Sequence, residues 1–403
     1  RSTLFPYTTL FRSPYSAPAT PRIFISAGEP SGDLHGAAVV RALRARFPGA
    51  EIDAFGGPRM AAAGARVTFP MERFAAFGLV EIVEKIPAHI RLLRQLQRAF
   101  RARAYDLVIP IDYPGFHLRV AEAARAAGIP VLYYIAPQLW AWRPERARRF
   151  AKACDRLAVI LPFEADFFGR LGLPAEYVGH PLLDRGAPPS RAEARRQLGV
   201  APEARVLGLF PGSRTGEVRR LWPVFRGAAQ RLLHEGVCDT VIVAGTEVGS
   251  YPDAGPLRVF QGDPTPVFAA ADAAIAKSGT TTLEAALADT PMVVAYRAHP
   301  ITWMASRWLV TVRWVSLVNL VAEREVVPEI LQRAATVAAL ASGVRPLLDA
   351  RSQEARAQRE GLAEVRARLG QPGAAARVAA LAADLLEADR KSTRLNSSHP
   401  YRS

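Results

Sequence analysis

The chain has few of the residues and segments that mark secreted, metal-binding or membrane-spanning proteins. It contains only two cysteines in 403 residues, Cys154 and Cys238, and both lie in segments whose pattern predicts burial. Core packing explains them better than a disulfide or a metal site, and a reducing cytoplasm fits. The sequence has no His, Cys and carboxylate residues paired at the spacing typical of zinc sites, so we expect no structural metal. The longest apolar runs, such as 315–322, are too short and interrupted for a membrane-spanning helix.

Three nucleotide-binding or catalytic signatures are also missing. The sequence has no GxGxxG and no GxxxxGK[ST], which argues against a dinucleotide-binding fold and a P-loop ATPase. It has no GxSxG motif, which argues against a serine hydrolase of that type.

The two ends differ from the rest of the chain in composition. Residues 1–13 and 390–403 are rich in Ser, Thr, Asn and Leu, whereas the body is rich in Ala, Arg, Gly, Val and Leu. We expect both ends to be tails foreign to the native protein. They carry six cationic residues and no acidic ones, so the net charge of +15 falls to +9 without them.

Apolar runs of strand length alternate with amphipathic helical stretches along almost the whole chain, which predicts an α/β protein. Several runs are apolar on both faces, as parallel strands covered by helices require. The predicted strands are 22–26, 51–55, 107–111, 131–135, 157–161, 206–210, 240–244, 273–276 and 292–296. Among the helices, we predict 34–46 and 118–127.

A break at 183–189, where a glycine and two prolines precede a new helical start at Ser190, divides the pattern into two doubly wound domains. We therefore predict an N-terminal domain at 21–184 and a second domain at 185–345. Helices at 346–389 are expected to pack back on the N-terminal domain.

Ligands of such sheets bind beyond the carboxyl ends of the strands, which singles out four places. The loops Gly28 to Asp33 and Ser278 to Glu284 each bring small residues to a helix N-terminus, where free N–H groups favour an anion. Asp112 follows five apolar residues. Burial of its carboxylate is costly unless the group is paired, hydrogen-bonded or has a catalytic or binding function. Arg214 follows another predicted strand and suits phosphate binding. Each place also has a structural explanation: helix caps, a loop-capping aspartate, or a solvated arginine.

One segment combines apolar residues with clustered arginines. The apolar residues are Phe77, Leu79, Val80, Ile82 and Val83, and the first arginines are Arg91 and Arg94. This pattern is typical of a helix at the surface of an anionic membrane. A core-facing helix with a solvated basic face fits the same pattern.

Motifs in both halves of the chain together resemble one family. In the first half they are Gly28-Glu29-Pro30-Ser31-Gly32-Asp33, Gly56-Gly57-Pro58-Arg59-Met60, Asp112-Tyr113-Pro114, Gln138-Leu139-Trp140-Ala141-Trp142-Arg143 and Gly179-His180-Pro181. In the second half they are Pro211-Gly212-Ser213-Arg214, Lys277-Ser278-Gly279-Thr280-Thr281-Thr282-Leu283-Glu284 and Ser316-Leu317-Val318-Asn319. In this order, from about residue 22 to 386, the chain resembles the lipid-A-disaccharide synthase family.

The resemblance implies a GT-B fold, with two Rossmann-like doubly wound domains facing a cleft and C-terminal helices. It implies an inverting glycosyltransferase that joins UDP-2,3-diacylglucosamine to 2,3-diacylglucosamine 1-phosphate (lipid X), releasing UDP and forming the β-1,6-linked lipid A disaccharide. No cofactor is implied. The expected location is peripheral, on the cytoplasmic face of the inner membrane.

The resemblance also implies roles for particular residues. Asp112 matches the family's essential aspartate and is expected to be the general base. The implied donor or UDP-binding residues are Arg214, Ser278, Gly279, Thr280, Thr281, Glu284, Asn319, Arg324 and Glu325. The implied acceptor-side residues are Glu29, Ser31, Gly32 and Asp33. The expected partners are the two substrates and an anionic membrane surface, with no nucleic acid. A homodimer that exchanges C-terminal segments is compatible with the helical tail.

Two other functions remain open. One is another enzyme of the same fold that uses a UDP sugar, such as an epimerase or a hydrolase. The other is a basic nucleic-acid-binding protein, because Trp140 and Trp142 lie among arginines.

Overall fold

The structure is a computed structural model that describes residues 20–74, 79–141, 147–246, 249–298 and 312–397, without the side chains of 79–84, 390 and 392–397. Its strands are β1 (Arg22–Ala27), β2 (Glu51–Gly56), β3 (Arg66–Pro70), β4 (Leu107–Ile111), β5 (Leu132–Tyr134), β6 (Arg156–Val159), β7 (Ala175–Tyr177), β8 (Val206–Phe210), β9 (Thr240–Gly245), β10 (Arg258–Gln261), β11 (Ala273–Lys277), β12 (Met292–Tyr296) and β13 (Glu329–Leu331).

These strands form two doubly wound sheets. The first has the order β3-β2-β1-β4-β5-β6-β7 and the second β10-β9-β8-β11-β12-β13. Pairing is parallel from β3 through β6 in the first sheet and throughout the second. Strand order reverses between β1 and β4 and between β8 and β11, and a ligand crevice forms outside the carboxyl ends of the strands at such a switch point. The predicted α/β fold with two doubly wound sheets is confirmed.

Helices connect these strands. They are α1 (Pro30–Arg46), α2 (Pro58–Ala62), α3 (Leu79–Arg101), α4 (Pro114–Ala126), α5 (Ala147–Ala153), α6 (Glu164–Gly169), α7 (Arg191–Leu198), α8 (Thr215–His234), α9 (Thr265–Ala270), α10 (Thr280–Leu287), α11 (Leu317–Ala322), α12 (Val337–Val344), α13 (Gln353–Leu369) and α14 (Ala374–Ser397). Their ends follow local sequence signals, as α7 illustrates. The Ser190 hydroxyl accepts a hydrogen bond from the Glu193 N–H, and Gly199 ends the helix in a left-handed conformation.

Two helices begin earlier than predicted. Helices α1 and α4 begin at Pro30 and Pro114, not at residues 34 and 118. Proline suits the first helical position because its missing N–H has no partner there and its φ is already helical. Ser31, Gly32 and Asp33 therefore lie in the first turn of α1 and not in a loop.

The nine predicted strands all exist, but four further strands were not predicted. These are β3, β7, β10 and β13, the two outermost strands of each sheet. None of the four contains a fully buried residue.

The chain divides into two compact units. The first unit comprises Arg1–Pro137, Lys152–Ala158 and Ala375–Ser403, and the second comprises Gln138–Ala151 and Val159–Ala374. These bounds differ from the predicted domain limits, because Trp140, Leu161 and Leu182 belong to the buried core of the second unit. The C-terminal helices are also divided: α13 belongs to the second unit, and residues from Ala375 onward belong to the first.

The second sheet is buried on both faces. Leu207 and Leu209 pack in one apolar cluster with Phe225 of α8. The alternate residue Phe210 packs in another, where its ring stacks on Phe268 of α9 at 3.6 Å between centroids. Successive residues of a strand point to opposite faces, so helices on both sides bury a continuous apolar run.

Candidate active site

The switch point of the first sheet brings the Gly28 motif and Asp112 together. Strands β1 and β4 are adjacent, and Ala27 pairs with Ile111 at their carboxyl ends. The next residues on the two strands are Gly28 and Asp112. Two segments 84 residues apart in sequence therefore meet at the position where ligands of such sheets bind.

Asp112 and Tyr113 form the turn between β4 and α4, and both are left-handed, with φ of 49° and 51°. The Asp112 N–H donates to the Tyr134 carbonyl at 3.0 Å. The Asp112 carbonyl oxygen accepts from the Tyr133 hydroxyl at 2.6 Å and from His117 Nδ1 at 2.7 Å. The side chain of Asp112 is half-buried. The turn thus holds a carboxylate at the edge of the sheet through its own backbone.

The Tyr113 ring explains the glycine at position 28. A Cβ atom on Gly28 would lie 2.5 Å from the Tyr113 ring, which is too close for any side chain. The Tyr113 hydroxyl lies 3.0 Å from His89 Nε2. Burial raises the pKa of Tyr113, and the nearby charge of Glu29 raises it further.

His117 was not predicted as a site residue. It is fully buried, with Nε2 2.7 Å from the Ser26 hydroxyl and Nδ1 on the Asp112 carbonyl. Burial lowers the pKa of His117 to about 4, so the ring is neutral at pH 7. The only sequence signal is a histidine on the buried face of a helix that begins just after Asp112.

The residues predicted to lie on the acceptor side occupy two different environments. Glu29 and Ser31 are exposed, whereas Gly32 and Asp33 are buried. The Asp33 carboxylate accepts from three backbone N–H groups at the start of α2, those of Gly57, Arg59 and Met60, at 2.8 to 3.1 Å. Asp33 therefore caps a neighbouring helix, which gives this buried acid a structural function.

The switch point of the second sheet brings together the Arg214 loop and the Ser278 loop. Strands β8 and β11 are adjacent, with Phe210 paired to Ala276. Lys277 Nζ lies 3.0 Å from Glu217 Oε1, so an ion pair joins the two loops. Gly212 has φ of 117°, and a Cβ atom there would lie 2.7 Å from Glu217 Oε2. Sequence reasoning missed this pair, because Lys277 follows the apolar run 273–276 but its partner Glu217 is 60 residues away in sequence.

Arg214 and the Ser278 loop leave several polar groups exposed or half-buried. Arg214 is exposed immediately before α8, and Thr280 is exposed at the start of α10. Gly279 and Thr281 are half-buried. Ser278 is buried, and its hydroxyl donates to the Val315 carbonyl at 2.7 Å. The exposed groups suit an anion, while Ser278 fixes the loop.

Glu284 lies in the second turn of α10. Its carboxylate forms an ion pair with Arg185 at 3.1 Å, and burial raises its pKa. A carboxylate of this kind can accept hydrogen bonds from the hydroxyls of a neutral polyol.

The three remaining donor-site predictions lie on or after α11. The Asn319 side chain donates to the Val327 carbonyl and Glu329 Oε1, and it accepts from the N–H groups of Val326 and Val327. These four bonds use the full capacity of an amide, so Asn319 fixes its own segment and has none left for a ligand. Arg324 is paired with Glu364 of α13 at 2.6 Å, and Glu325 is exposed.

Helix α3 contains most of the predicted membrane-facing residues. Phe77 lies outside the described residues, and the side chains of Leu79, Val80, Ile82 and Val83 are not described. Further along, Ile86 and Ile90 are exposed, as are Arg91 and Arg94. Leu92, Leu96 and Phe100 are buried. The described part of α3 therefore has a buried apolar face and an outer face that is apolar at one end and basic at the other.

The Trp140 side chain is buried and held by other side chains. Its indole N–H donates to Glu164 Oε1 at 2.9 Å, and its ring packs edge-on against Phe163. Burial raises the pKa of Glu164 to about 7, while the bonds from Trp140 and two backbone N–H groups oppose that shift. A tryptophan buried in this way is not available to stack on a nucleic-acid base.

Among the residues that the structure describes, no group of three or more His, Cys, Asp or Glu side chains could hold a metal ion. In the same part of the chain, every helix is too short or too polar to cross a membrane.

Known proteins resemble the chain in fold and in sequence. A calicheamicin glycosyltransferase of known structure matches with a TM-score of 0.57 and 18% identity, over 94% of this chain and 100% of that one. The lipid-A-disaccharide synthase of Myxococcus xanthus is 42% identical over 380 residues, which cover 92% of this chain and 99% of that protein. The synthase of Rhodospirillum centenum is 42% identical over 363 residues, 87% and 90% of the two chains.

The two doubly wound sheets define an α/β protein with the GT-B fold. A model of the lipid-A-disaccharide synthetase family matches residues 23–383. The chain belongs to that family, as the motifs predicted.

Proposed function

We propose that the protein is an inverting glycosyltransferase that condenses UDP-2,3-diacylglucosamine with lipid X to give the β-1,6 lipid A disaccharide 1-phosphate and UDP. Family membership over 23–383 supports the substrates. The observation that carries the mechanism is Asp112, a half-buried acid whose turn is fixed at the switch point between β1 and β4.

In the proposed reaction, Asp112 is the general base. The acceptor 6-hydroxyl oxygen attacks the anomeric carbon of the donor, and its proton passes to the Asp112 carboxylate. The bond from that carbon to the diphosphate oxygen breaks, and its electron pair leaves on UDP. A base fixed beside the nucleophile lowers the barrier because the hydroxyl loses its proton as it attacks.

The second unit is proposed to bind the donor. Arg214 and the N–H groups at the starts of α8 and α10 supply positive charge for a leaving diphosphate. Lys277, joined to Glu217, adds a second cation at the same edge of the sheet. Glu284 is proposed to accept hydrogen bonds from the uridine ribose.

The test is a transferase assay with UDP-diacylglucosamine in the presence and absence of lipid X. We expect UDP release that depends strictly on lipid X, together with a product of disaccharide mass. UDP release without lipid X would indicate a hydrolase, and conversion to an isomeric UDP sugar an epimerase. Salt-dependent nucleic-acid binding without turnover would support the nucleic-acid alternative.

Replacement of Asp112 tests the base. The Asp112→Asn variant keeps the shape and the backbone contacts of the turn but cannot take up a proton. We expect kcat to fall by about 10² to 10⁴ while UDP affinity stays nearly unchanged. Near-normal turnover would rule out Asp112 as the base.

We also propose that α3 docks the protein on an anionic membrane, at the cytoplasmic face of the inner membrane. Its exposed isoleucines and neighbouring exposed arginines support this, because an interfacial helix combines apolar contact with attraction to acidic lipids.

A homodimer with exchanged C-terminal segments is a further proposal. The chain passes from α13 in the second unit back to α14 in the first, and a returning terminal helix is an element that two copies can exchange. Light scattering during gel filtration tests it, and a monomer at micromolar concentration would contradict it.

A further inference from the structure

The hydrogen bonds of His117 define its tautomer. A carbonyl oxygen can only accept, so the Nδ1 atom that lies 2.7 Å from the Asp112 carbonyl carries the proton. Nε2 then has a lone pair and accepts from the Ser26 hydroxyl, also at 2.7 Å. Two consecutive hydrogen bonds therefore connect Ser26 of β1, through the His117 ring, to the backbone carbonyl of Asp112.

The Asp112 turn needs such support. Two consecutive residues other than glycine have φ near +50°, a conformation that side chains disfavour and that persists only where surrounding contacts hold it. The contacts are the N–H bond to Tyr134 and the two bonds on the Asp112 carbonyl oxygen, from Tyr133 and His117. His117, which donates to this carbonyl from α4, is in turn held by Ser26 of β1.

We propose that His117 is a positioning residue for Asp112, which holds the left-handed 112–113 turn through its Nδ1–H bond so that the Asp112 carboxylate is presented at the switch point. This inference rests on the proposed role of Asp112 as the base. His117 itself touches no reacting atom in this proposal, and it acts only through the backbone carbonyl.

Two amide variants separate this role from packing. In His117→Asn the amide nitrogen can take the place of Nδ1 and still donate to the Asp112 carbonyl. In His117→Gln the longer side chain brings its amide to the place of Nε2, near Ser26, and leaves the carbonyl without that donor. We expect His117→Asn to keep kcat within about threefold and His117→Gln to lose about tenfold to a hundredfold, with KM for both substrates little changed.

The matched control is His234→Asn, at the exposed end of α8, which should leave kcat unchanged. Equal losses in the Asn and Gln variants would mean that His117 only fills space, and equal retention would mean that the bond is not needed. Either result overturns the proposal.

A second measurement needs no turnover. Nitrogen-15 NMR of the wild-type protein should show a neutral His117 ring protonated at Nδ1 from pH 5.5 to 8. The opposite tautomer, or an imidazolium at pH 7, would overturn the inference even if the variants do not fold. A wild-type protein without transferase activity would contradict the proposed function, while the tautomer would still test the contact.

Discussion

His117 lies among the rings of Phe55, Tyr113, Phe116 and Tyr133 and has no exposed surface. In this apolar surrounding the charged imidazolium is disfavoured, which lowers the pKa of His117 from 6.5 to about 4. The unfolded chain takes up the proton near 6.5 and the folded chain only near 4. The contribution of His117 to stability is therefore full above pH 6.5 and is lost as pH falls from 6.5 to 4.

We expect the first unit to lose about 3 kcal/mol of unfolding free energy over that range through His117. Urea unfolding of the wild type and of His117→Asn at pH 7.5, 5.5 and 4.5 measures it, because other titrating groups cancel in the difference. The stability advantage of the wild type should shrink as pH falls. A difference that is independent of pH would show that the ring is protonated equally in both states.

The prediction for the second unit concerns UDP binding by Arg214. Its exposed guanidinium lies just before α8, at the switch point between β8 and β11. In Arg214→Ala we expect UDP affinity to fall about tenfold to a hundredfold, since charge-assisted bonds to a diphosphate are lost, and turnover to fall with it. Calorimetric titration with UDP measures the affinity. An unchanged value would remove Arg214 from the donor site.

Single residues show what the sequence could and could not predict about the site. The strand ends that carry Asp112, Arg214 and Ser278 could be found from apolar runs alone. The functions of Asp33 and Asn319 could not, because most of their hydrogen-bonding capacity is used by backbone groups 7 to 27 residues away. Such partners depend on how the chain folds back on itself, which a local pattern does not contain.

At the scale of elements, α3 combines two properties along one outer face. Ile86 and Ile90 are 46% and 39% exposed, and Arg94, Arg98 and Arg101 follow at helical spacing and are also exposed. Residues four apart lie on the same side of a helix, so an apolar patch continues into a basic one. This arrangement fits a helix whose first half enters a lipid surface.

We expect Ile86→Asp with Ile90→Asp to abolish most binding to vesicles that contain acidic lipids, because charge replaces the apolar contact. The fold should be unaffected, since both side chains are exposed. The matched control is Val259→Asp on β10, an equally exposed apolar residue in the other unit at 36% exposure. Vesicle sedimentation measures the binding, and a loss of equal size in the control would argue against a specific role for α3. Binding should also weaken as salt rises.

The elements that sequence reasoning missed share a position. Strands β3, β7, β10 and β13 are edge strands, and an edge strand needs less apolar surface than a central one. Their short, mixed sequences therefore carry no continuous apolar run, unlike β4 or β8. The early start of α4 has a different cause: the Asp112–Tyr113 turn occupies two residues only, and Pro114 already belongs to the helix.

For the molecule as a whole, the path of the chain is its most distinctive property. The first unit takes its last helix from beyond the second unit, and Val378, Leu381 and Leu386 of that helix are buried. Burial of each such side chain contributes about 2 kcal/mol. The first unit therefore depends on residues that follow the second unit in sequence.

Removal of residues 375–403 should lower the urea midpoint of the first unit or prevent it from folding, while the second unit unfolds as before. All six tryptophans belong to the second unit, so their fluorescence follows that unit, while circular dichroism follows both transitions. Identical unfolding of the full-length and shortened chains would show that α14 contributes nothing to the first unit.

The same path determines when each unit can form during synthesis. A ribosome releases the chain from its N-terminus, so residues 22–137 emerge long before the helix that completes their unit. Every residue of the second unit emerges before that helix. The unit that begins first is thus completed last, and its apolar surface stays incompletely covered until α14 has emerged.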